Sequence, residues 1–295
     1  MSNKVILVVL DGLAYETAQQ CMGFIQGLVE LSQTTGRKAT LYKLQSELPS
    51  MSRPLYEAIL TGVAPAESGI VHNHIVRNSD QQSVFSLARG AGLTTAAAAY
   101  HWFSELYNRC PYDAVRDRFT DDPELLIQHG IFYHQDQYPD SHLYLDAEWL
   151  RRQHDPDFLL VHPMNIDDAG HRAGLDSAHY RNTARHSDTY LSEHLVQWID
   201  AGYQILITAD HGMNIDKSHG GTLAEERDVP LYVIGDGFSH DADAAPRQLE
   251  LCGTVCELLG IEGHQKPVAA ALLNKELNQE LNQELNQGLN QGLNR

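Results

Sequence analysis

Three short apolar runs, far apart along the chain, each lead into side chains of the kind that bind metals. Val5-Ile6-Leu7-Val8-Val9-Leu10 runs into Asp11-Gly12, and Ile205-Leu206-Ile207 is followed by Asp210-His211-Gly212-Met213. Phe158-Leu159-Leu160-Val161 precedes Asp167 and His171, which stand four residues apart. Apolar runs of this length, bounded by polar residues, read as strands covered on both faces. Such strands belong to parallel sheets flanked by helices, and ligands of open α/β sheets bind at the carboxyl ends of the strands. A fold that brings these ends to one rim would collect the carboxylates and imidazoles in one place.

The rest of the chain follows the same alternation. Strands are expected over residues 4–10, 38–44, 93–99, 157–163, 203–209 and 229–234, and helices over 16–31, 81–89, 145–153 and 179–198. Asp200-Ala201-Gly202 supplies a helix stop before the next strand. This predicts an α/β fold with a mostly parallel central sheet flanked by helices. Residues 105–141, rich in Asp, Tyr, His and Pro with poor periodicity, are expected to form a small insertion or cap over the site. The α/β domain is expected to span 1–268. Residues 269–295 are expected to form a low-complexity tail, frayed or disordered, built on a Glu-Leu-Asn-Gln repeat. Its leucines recur every four residues and drift around a helical cylinder instead of holding one face.

Composition narrows the partners. A formal net charge of −18 argues against a nucleic-acid groove or an anionic membrane surface, which select basic patches. It leaves a phosphorylated small molecule open, because bound divalent ions reverse the local field. No run is long enough to span a bilayer, and Met1–Lys4 leads straight into a core strand, so no signal peptide is expected. Cys21, Cys110, Cys252 and Cys256 show no paired spacing and read as free thiols of a cytoplasmic protein.

The candidate metal ligands are Asp11, Asp167, His171, Asp210, His211 and His219, enough for two cations with three protein ligands each. Each alone has a plainer reading. An Asp at a strand end often caps a helix, and a lone loop His is usually solvated. The segment Ser50-Met51-Ser52-Arg53-Pro54-Leu55-Tyr56 opens a short helix that stops at Thr61-Gly62. Proline is favoured in a first helical turn, and a helix N-terminus favours phosphate. Ser52 there is either a helix cap or a metal-activated nucleophile, with Arg53 as a clamp for anionic oxygens.

Taken in order, these pieces resemble the alkaline phosphatase superfamily, and most its type I phosphodiesterase/nucleotide pyrophosphatase branch. The resemblance rests on Val9-Leu10-Asp11-Gly12, Ser52, Thr61-Gly62, Pro65 to Asn73, Asp167 to His171, Asp210 to Met213, His219 and Thr254 to Gly260, and covers about residues 4–262. It implies one ion on Asp11, Asp210 and His211, with Ser52 bridging toward it as nucleophile. A second ion is implied on Asp167, His171 and His219, with Asn73 steadying the phosphoryl oxygens. It implies two divalent ions, zinc first and manganese as the alternative, and a phosphoseryl intermediate on Ser52. The expected activity is hydrolysis of phosphodiester or nucleotide pyrophosphate bonds. Alternatives are a phosphomonoesterase, a phosphonate hydrolase, or a metal-dependent phospho-ligand binding protein without catalysis. Two departures stand out. The branch has threonine where this chain has Ser52, and Arg53 and Leu55 replace its phenylalanine and asparagine. Sulfatases of the superfamily carry an arginine where Tyr56 stands, so Ser52 is expected to remain serine.

Overall fold

The computed structural model describes residues 4–35 and 38–274; the repeat from Glu276 onward lies outside them. In chain order the elements are β1 (Lys4–Val9), α1 (Tyr15–Cys21), α2 (Gly23–Thr35), β2 (Ala39–Gln45), α3 (Ser52–Thr61), α4 (Pro65–Ser68), α5 (Val84–Gly90), β3 (Thr95–Tyr100), α6 (His101–Tyr107) and α7 (Ala114–Asp117). They continue with β4 (Phe119–Asp121), β5 (His129–Tyr133), α8 (Asp140–His154), β6 (Phe158–Val161), α9 (Asn165–Ala173), α10 (Ala178–Asp200), β7 (Tyr203–Thr208), α11 (Ala224–Arg227), β8 (Asp228–Ile234) and α12 (Leu251–Leu258).

The strands form one mixed sheet in the order β2-β8-β7-β1-β6-β3-β5-β4. Its centre is parallel: β1 pairs with both β7 and β6, and β3 pairs with β6 and β5. The antiparallel contacts lie toward the edges, β2 with β8, β8 with β7, and β4 with β5. Val5 to Val9 are almost wholly buried. Each such side chain contributes roughly 1.5–3 kcal/mol of burial before chain entropy is subtracted, which suits β1 to the middle of the sheet. β1, β6 and β7 point the same way, so their carboxyl ends share one rim.

The helix expected over 16–31 is two helices. The chain breaks at Met22, where φ −94° and ψ 74° leave the helical region. The Asp188 carboxylate of α10 accepts the amides of Phe24 and Ile25, at 2.7 and 3.1 Å, and so caps the second helix from across the fold. The stretch expected as a cap, 105–141, instead carries β4 and β5, which continue the sheet beyond β3. Residues 269–274 pack against the domain, with Leu272 buried and Leu273 bridged to Phe238. The four cysteines are unpaired.

Candidate metal centre

The rim gathers the six predicted ligands into two adjoining groups. Asp11, Asp210 and His211 form one, and Asp167, His171 and His219 the other, with potential ligand atoms in each within 4.8 Å of one another. Asp11 and Asp210 come from the turns after β1 and β7, at the centre of the sheet. Asp167 and His171 share a face of α9, with His171 Nε2 3.4 Å from Asp167 Oδ2. The groups touch through His211 and His219, whose rings stack with centroids 3.6 Å apart.

Each of the three imidazoles has a backbone carbonyl against its Nδ1: Gly212 O for His211 (2.8 Å), Lys217 O for His171 (3.0 Å) and Ser50 O for His219 (2.7 Å). A carbonyl only accepts, so Nδ1 carries the proton in every case and Nε2 presents a lone pair. His171 Nε2 and His219 Nε2 lie 3.2 Å apart, both directed into the same space. Carbonyl-fixed tautomers of this kind are the usual outer support of metal-binding histidines. Burial, followed by the neighbouring His211 charge, pushes the His219 imidazole down to about 3, and burial also lowers His211.

The carboxylates carry the same message. Asp11 Oδ1, Asp167 Oδ1 and Asp210 Oδ2 are buried without a hydrogen-bond partner. Buried polar atoms are rarely left this way, and three converging anionic oxygens fit a cationic guest. Burial, and then repulsion from Asp11, pushes Asp210 and Asp167 well above the usual carboxylate range. For Asp11 burial also acts upward, but the His162 hydrogen bond and the charges of His211 and His162 bring its carboxyl down to about 2.

Two glycines shape the rim. Gly12, at φ +74°, lets the turn after β1 lie so close that an added Cβ would sit 2.9 Å from the Asp167 Cα. A Cβ on Gly212 would sit 2.0 Å from the Glu225 carbonyl oxygen. The Gly12 amide also donates to Asp210 Oδ1 at 3.2 Å, tying two ligand turns together.

Ser52 is the first residue of α3, and its hydroxyl lies 3.1 Å from His211 Nε2. It is not a cap: the N-cap position belongs to Met51, and no side chain of that residue closes the helix. Asn73 does part of that work from outside, its Oδ1 accepting the Arg53 amide at 3.0 Å. Arg53 is 1% exposed, paired with Glu105 Oε2 at 2.7 Å and lying 4.5 Å over the Trp102 ring. Its Nε and Nη1 have no hydrogen-bond partner.

Three residues that build the rim are not among the expected site residues. His162 Nε2 contacts Asp11 Oδ2 at 3.0 Å, and the Tyr56 hydroxyl donates to the same oxygen. Tyr133 donates to the His162 carbonyl at 2.7 Å. Two were marked by position: His162 directly follows the β6 run, and Tyr56 sits one helical turn after Ser52.

A sequence profile described as type I phosphodiesterase/nucleotide pyrophosphatase matches residues 5–220. Among curated proteins, the chain is 23% identical over 285 residues to the catalytic subunit of human GPI ethanolamine phosphate transferase 3, a match covering 88% of this chain and 24% of that protein. GPI ethanolamine phosphate transferase 2 of Kluyveromyces lactis is 23% identical over 248 residues, covering 79% of this chain and 29% of the other. The chain thus spans about a quarter of the length of the curated relatives it matches. Among solved structures, an inactive murine ectonucleotide pyrophosphatase/phosphodiesterase 5 in complex with AMP superposes with a TM-score of 0.70 at 13% identity, covering 92% of this chain and 100% of that one. A phosphonate monoester hydrolase from Silicibacter pomeroyi gives 0.59 at 13% identity, covering 88% and 74%. Both share the fold, which is alkaline-phosphatase-like. The relatives correct one expectation. GPI is a membrane glycolipid, and enzymes named for modifying it point away from the cytoplasmic location read from the sequence. Among the described residues no helix is long and apolar enough to cross a membrane.

Proposed function

Because the chain belongs to the type I phosphodiesterase/nucleotide pyrophosphatase family of the alkaline phosphatase superfamily, we propose that it cleaves phosphodiester or pyrophosphate bonds by transferring the phosphoryl group to Ser52 and then to water. One observation carries this reading: the Ser52 hydroxyl stands 3.1 Å from His211 Nε2, on a rim where three buried carboxylate oxygens lack partners. Asp11, Asp210 and His211 would hold one divalent ion, and Asp167, His171 and His219 a second. The mixed imidazole and carboxylate donors suit zinc, with manganese the alternative. Such a pair of ions would lower the pKa of the serine hydroxyl and offset the charge of the phosphoryl oxygens.

The chain's own groups do the rest. His162 and Tyr56 hold Asp11 Oδ2 and so aim Oδ1 into the centre. The amino end of α3 places its positive dipole at the substrate phosphate. Asn73, fixed through Oδ1, presents its NH₂ to a phosphoryl oxygen. Arg53 acts here by positioning: its pairing with Glu105 and Trp102 steadies the start of α3, and this replaces its reading as a clamp. Attack of Ser52 Oγ on phosphorus breaks the bond to the leaving oxygen and leaves the phosphate, still carrying its other substituent, esterified to the serine, while the hydroxyl proton ends on the leaving group or in solvent. Attack by water at the same phosphorus returns the serine.

Ser52→Ala tests this directly. Turnover of an aryl phosphodiester should vanish while bound metal stays at the wild-type level. Near-full activity in the variant would remove Ser52 as nucleophile, and rapid-quench mass spectrometry should find the phosphate on Ser52 in the wild type. A second reading is favoured by the curated relatives, which are named transferases. In it the serine ester passes its group to an alcohol instead of water. Product analysis with added ethanolamine or glycerol separates the two, since only transfer yields a new phosphate ester.

A further inference from the structure

Away from the rim, a second set of metal-type donors meets at the opposite edge of the sheet. Asp121 ends β4, His129 begins β5, and His154 ends α8. Because β5 runs parallel to β3, its first residue lies at the amino edge of the sheet, whereas the rim lies at the carboxyl edge. One carboxylate oxygen and two imidazole nitrogens of these residues fall within 4.8 Å of one another.

We propose that Asp121, His129 and His154 form a separate zinc site that fastens the β4–β5 edge of the sheet to the end of α8. The donor set is that of a three-ligand zinc site with one position left to solvent. Asp121 and His129 are directly opposed across the antiparallel pair, and Asp121 Oδ1 already stands 2.8 Å from His129 Nδ1. The His154 ring lies face to face with His129, centroids 3.7 Å apart and planes 14° from parallel, and one ring nitrogen of each falls within 4.8 Å of the other donors. The Asp121 side chain is 75% exposed and that of His129 17%, which gives an ion an open approach and a partly enclosed seat. The purpose is mechanical. β4 has only three residues and is the outermost strand, and short edge strands are weakly held. An ion shared with α8 joins that strand to the body of the domain and, since it binds only the folded form, raises stability with zinc concentration.

The full chain, loaded with zinc and freed of excess, supplies the test. His129→Gln and His154→Gln should each hold one zinc equivalent fewer than wild type, with unchanged turnover of an aryl phosphodiester. Trp149, half exposed and 5.7 Å from the His154 ring, serves as a local reporter. Ni2+ should quench the emission that disappears in Trp149→Phe, and this quenching should be lost in His129→Gln. Asp121→Asn, a change at an exposed carboxylate that keeps the fold, should weaken zinc at this site about tenfold or more. Asp210→Asn, which disturbs only the rim, should leave the Trp149 quenching intact, so failure here is distinguishable from failure at the rim. Equal zinc content in wild type and both histidine variants, or Trp149 quenching that survives His129→Gln, would overturn the proposal.

Discussion

Removing one oxygen atom from Tyr56 should weaken metal binding without disturbing the fold. Tyr56 is fully buried in α3, its ring stacked on Phe103 at 4.5 Å and edge-on to His162 at 4.8 Å. Phenylalanine keeps both ring contacts and loses only the hydroxyl that donates to Asp11 Oδ2. Burial, followed by the adjacent Asp11, raises the Tyr56 pKa well above its usual value, so the group remains a donor at every working pH. Loss of an outer partner to a metal ligand typically costs 10- to 100-fold in affinity, or about 1.4–2.7 kcal/mol. Loss of a hydrogen bond to a charged group costs roughly 1.5–3 kcal/mol, so the two routes agree. The assay is turnover of an aryl phosphodiester against free zinc, set with a competing chelator. The Tyr56→Phe midpoint should move to higher zinc by one to two decades, while turnover at saturating zinc stays near wild type. His162→Gln should shift the midpoint in the same direction. The double variant should fall short of the sum, because both side chains steady one oxygen. An unchanged midpoint in Tyr56→Phe, or activity lost even at saturating zinc, would refute the claim that Tyr56 acts by orienting Asp11.

Asp140, buried in the first turn of α8, has its carboxyl pushed up to about 7 by burial. The folded protein therefore takes up a proton on this group between about pH 4 and 7 that the unfolded chain has lost, and stability declines as pH rises through that window. Asp140→Asn keeps an acceptor for the Asn165 amide and should flatten this slope, gaining up to roughly 4 kcal/mol at pH 8, measured by urea unfolding across pH. A slope identical to wild type would remove Asp140 as its source. Gly212→Ala should lower both the melting temperature and zinc affinity, because the new Cβ meets a backbone oxygen beside His211 at a strain cost of about 1–3 kcal/mol; wild-type values in both assays would contradict the geometry. Asp188→Ala should cost about 1–3 kcal/mol of stability by uncapping α2, read from the denaturant midpoint, with turnover unchanged.

The parts of this molecule that could be read from its sequence are those where one chemical pattern had one structural meaning. The runs at 5–10, 158–161 and 205–207 are apolar without interruption, which suits a strand covered on both faces, and the sheet centre is built from them. The six candidate ligand residues could be singled out because carboxylates and imidazoles at or soon after the ends of such strands have few structural uses. β4 and β5 were not visible, since Phe119–Asp121 is too short for a period and Gly130 interrupts His129–Tyr133. The break at Met22 could not be read locally, as the capping carboxylate comes from Asp188, distant in sequence. His162 and Tyr56 escaped for a similar reason: each is an ordinary core aromatic by pattern, and only the register of β6 against β1 and the packing of α3 bring them to Asp11.

The helix that carries Ser52 explains how the site can keep its chemistry while the neighbouring residues change. All ten residues of α3 are buried, and its polar members are held by separate partners. Ser52 and Tyr56 meet His211 and Asp11 on one side, while Arg53 meets Glu105 and Trp102 on another. Glu57 accepts from Ser79 and Tyr107. A helix gripped on every face cannot tilt to suit a different leaving group without breaking several buried polar contacts at once, each costing about 1–3 kcal/mol. Arg53 stands where the branch carries phenylalanine, but it is drawn inward and so removes an aromatic surface from the mouth without moving the serine. Substrate choice in this chain should then reside in the exposed and half-exposed segments around the rim, at 71–77 and 215–223, leaving aside Asn73 and His219. Substitutions at the other positions there should alter the ratio of diester to monoester turnover and leave the zinc midpoint where it is. Tyr56→Phe in α3 should do the reverse.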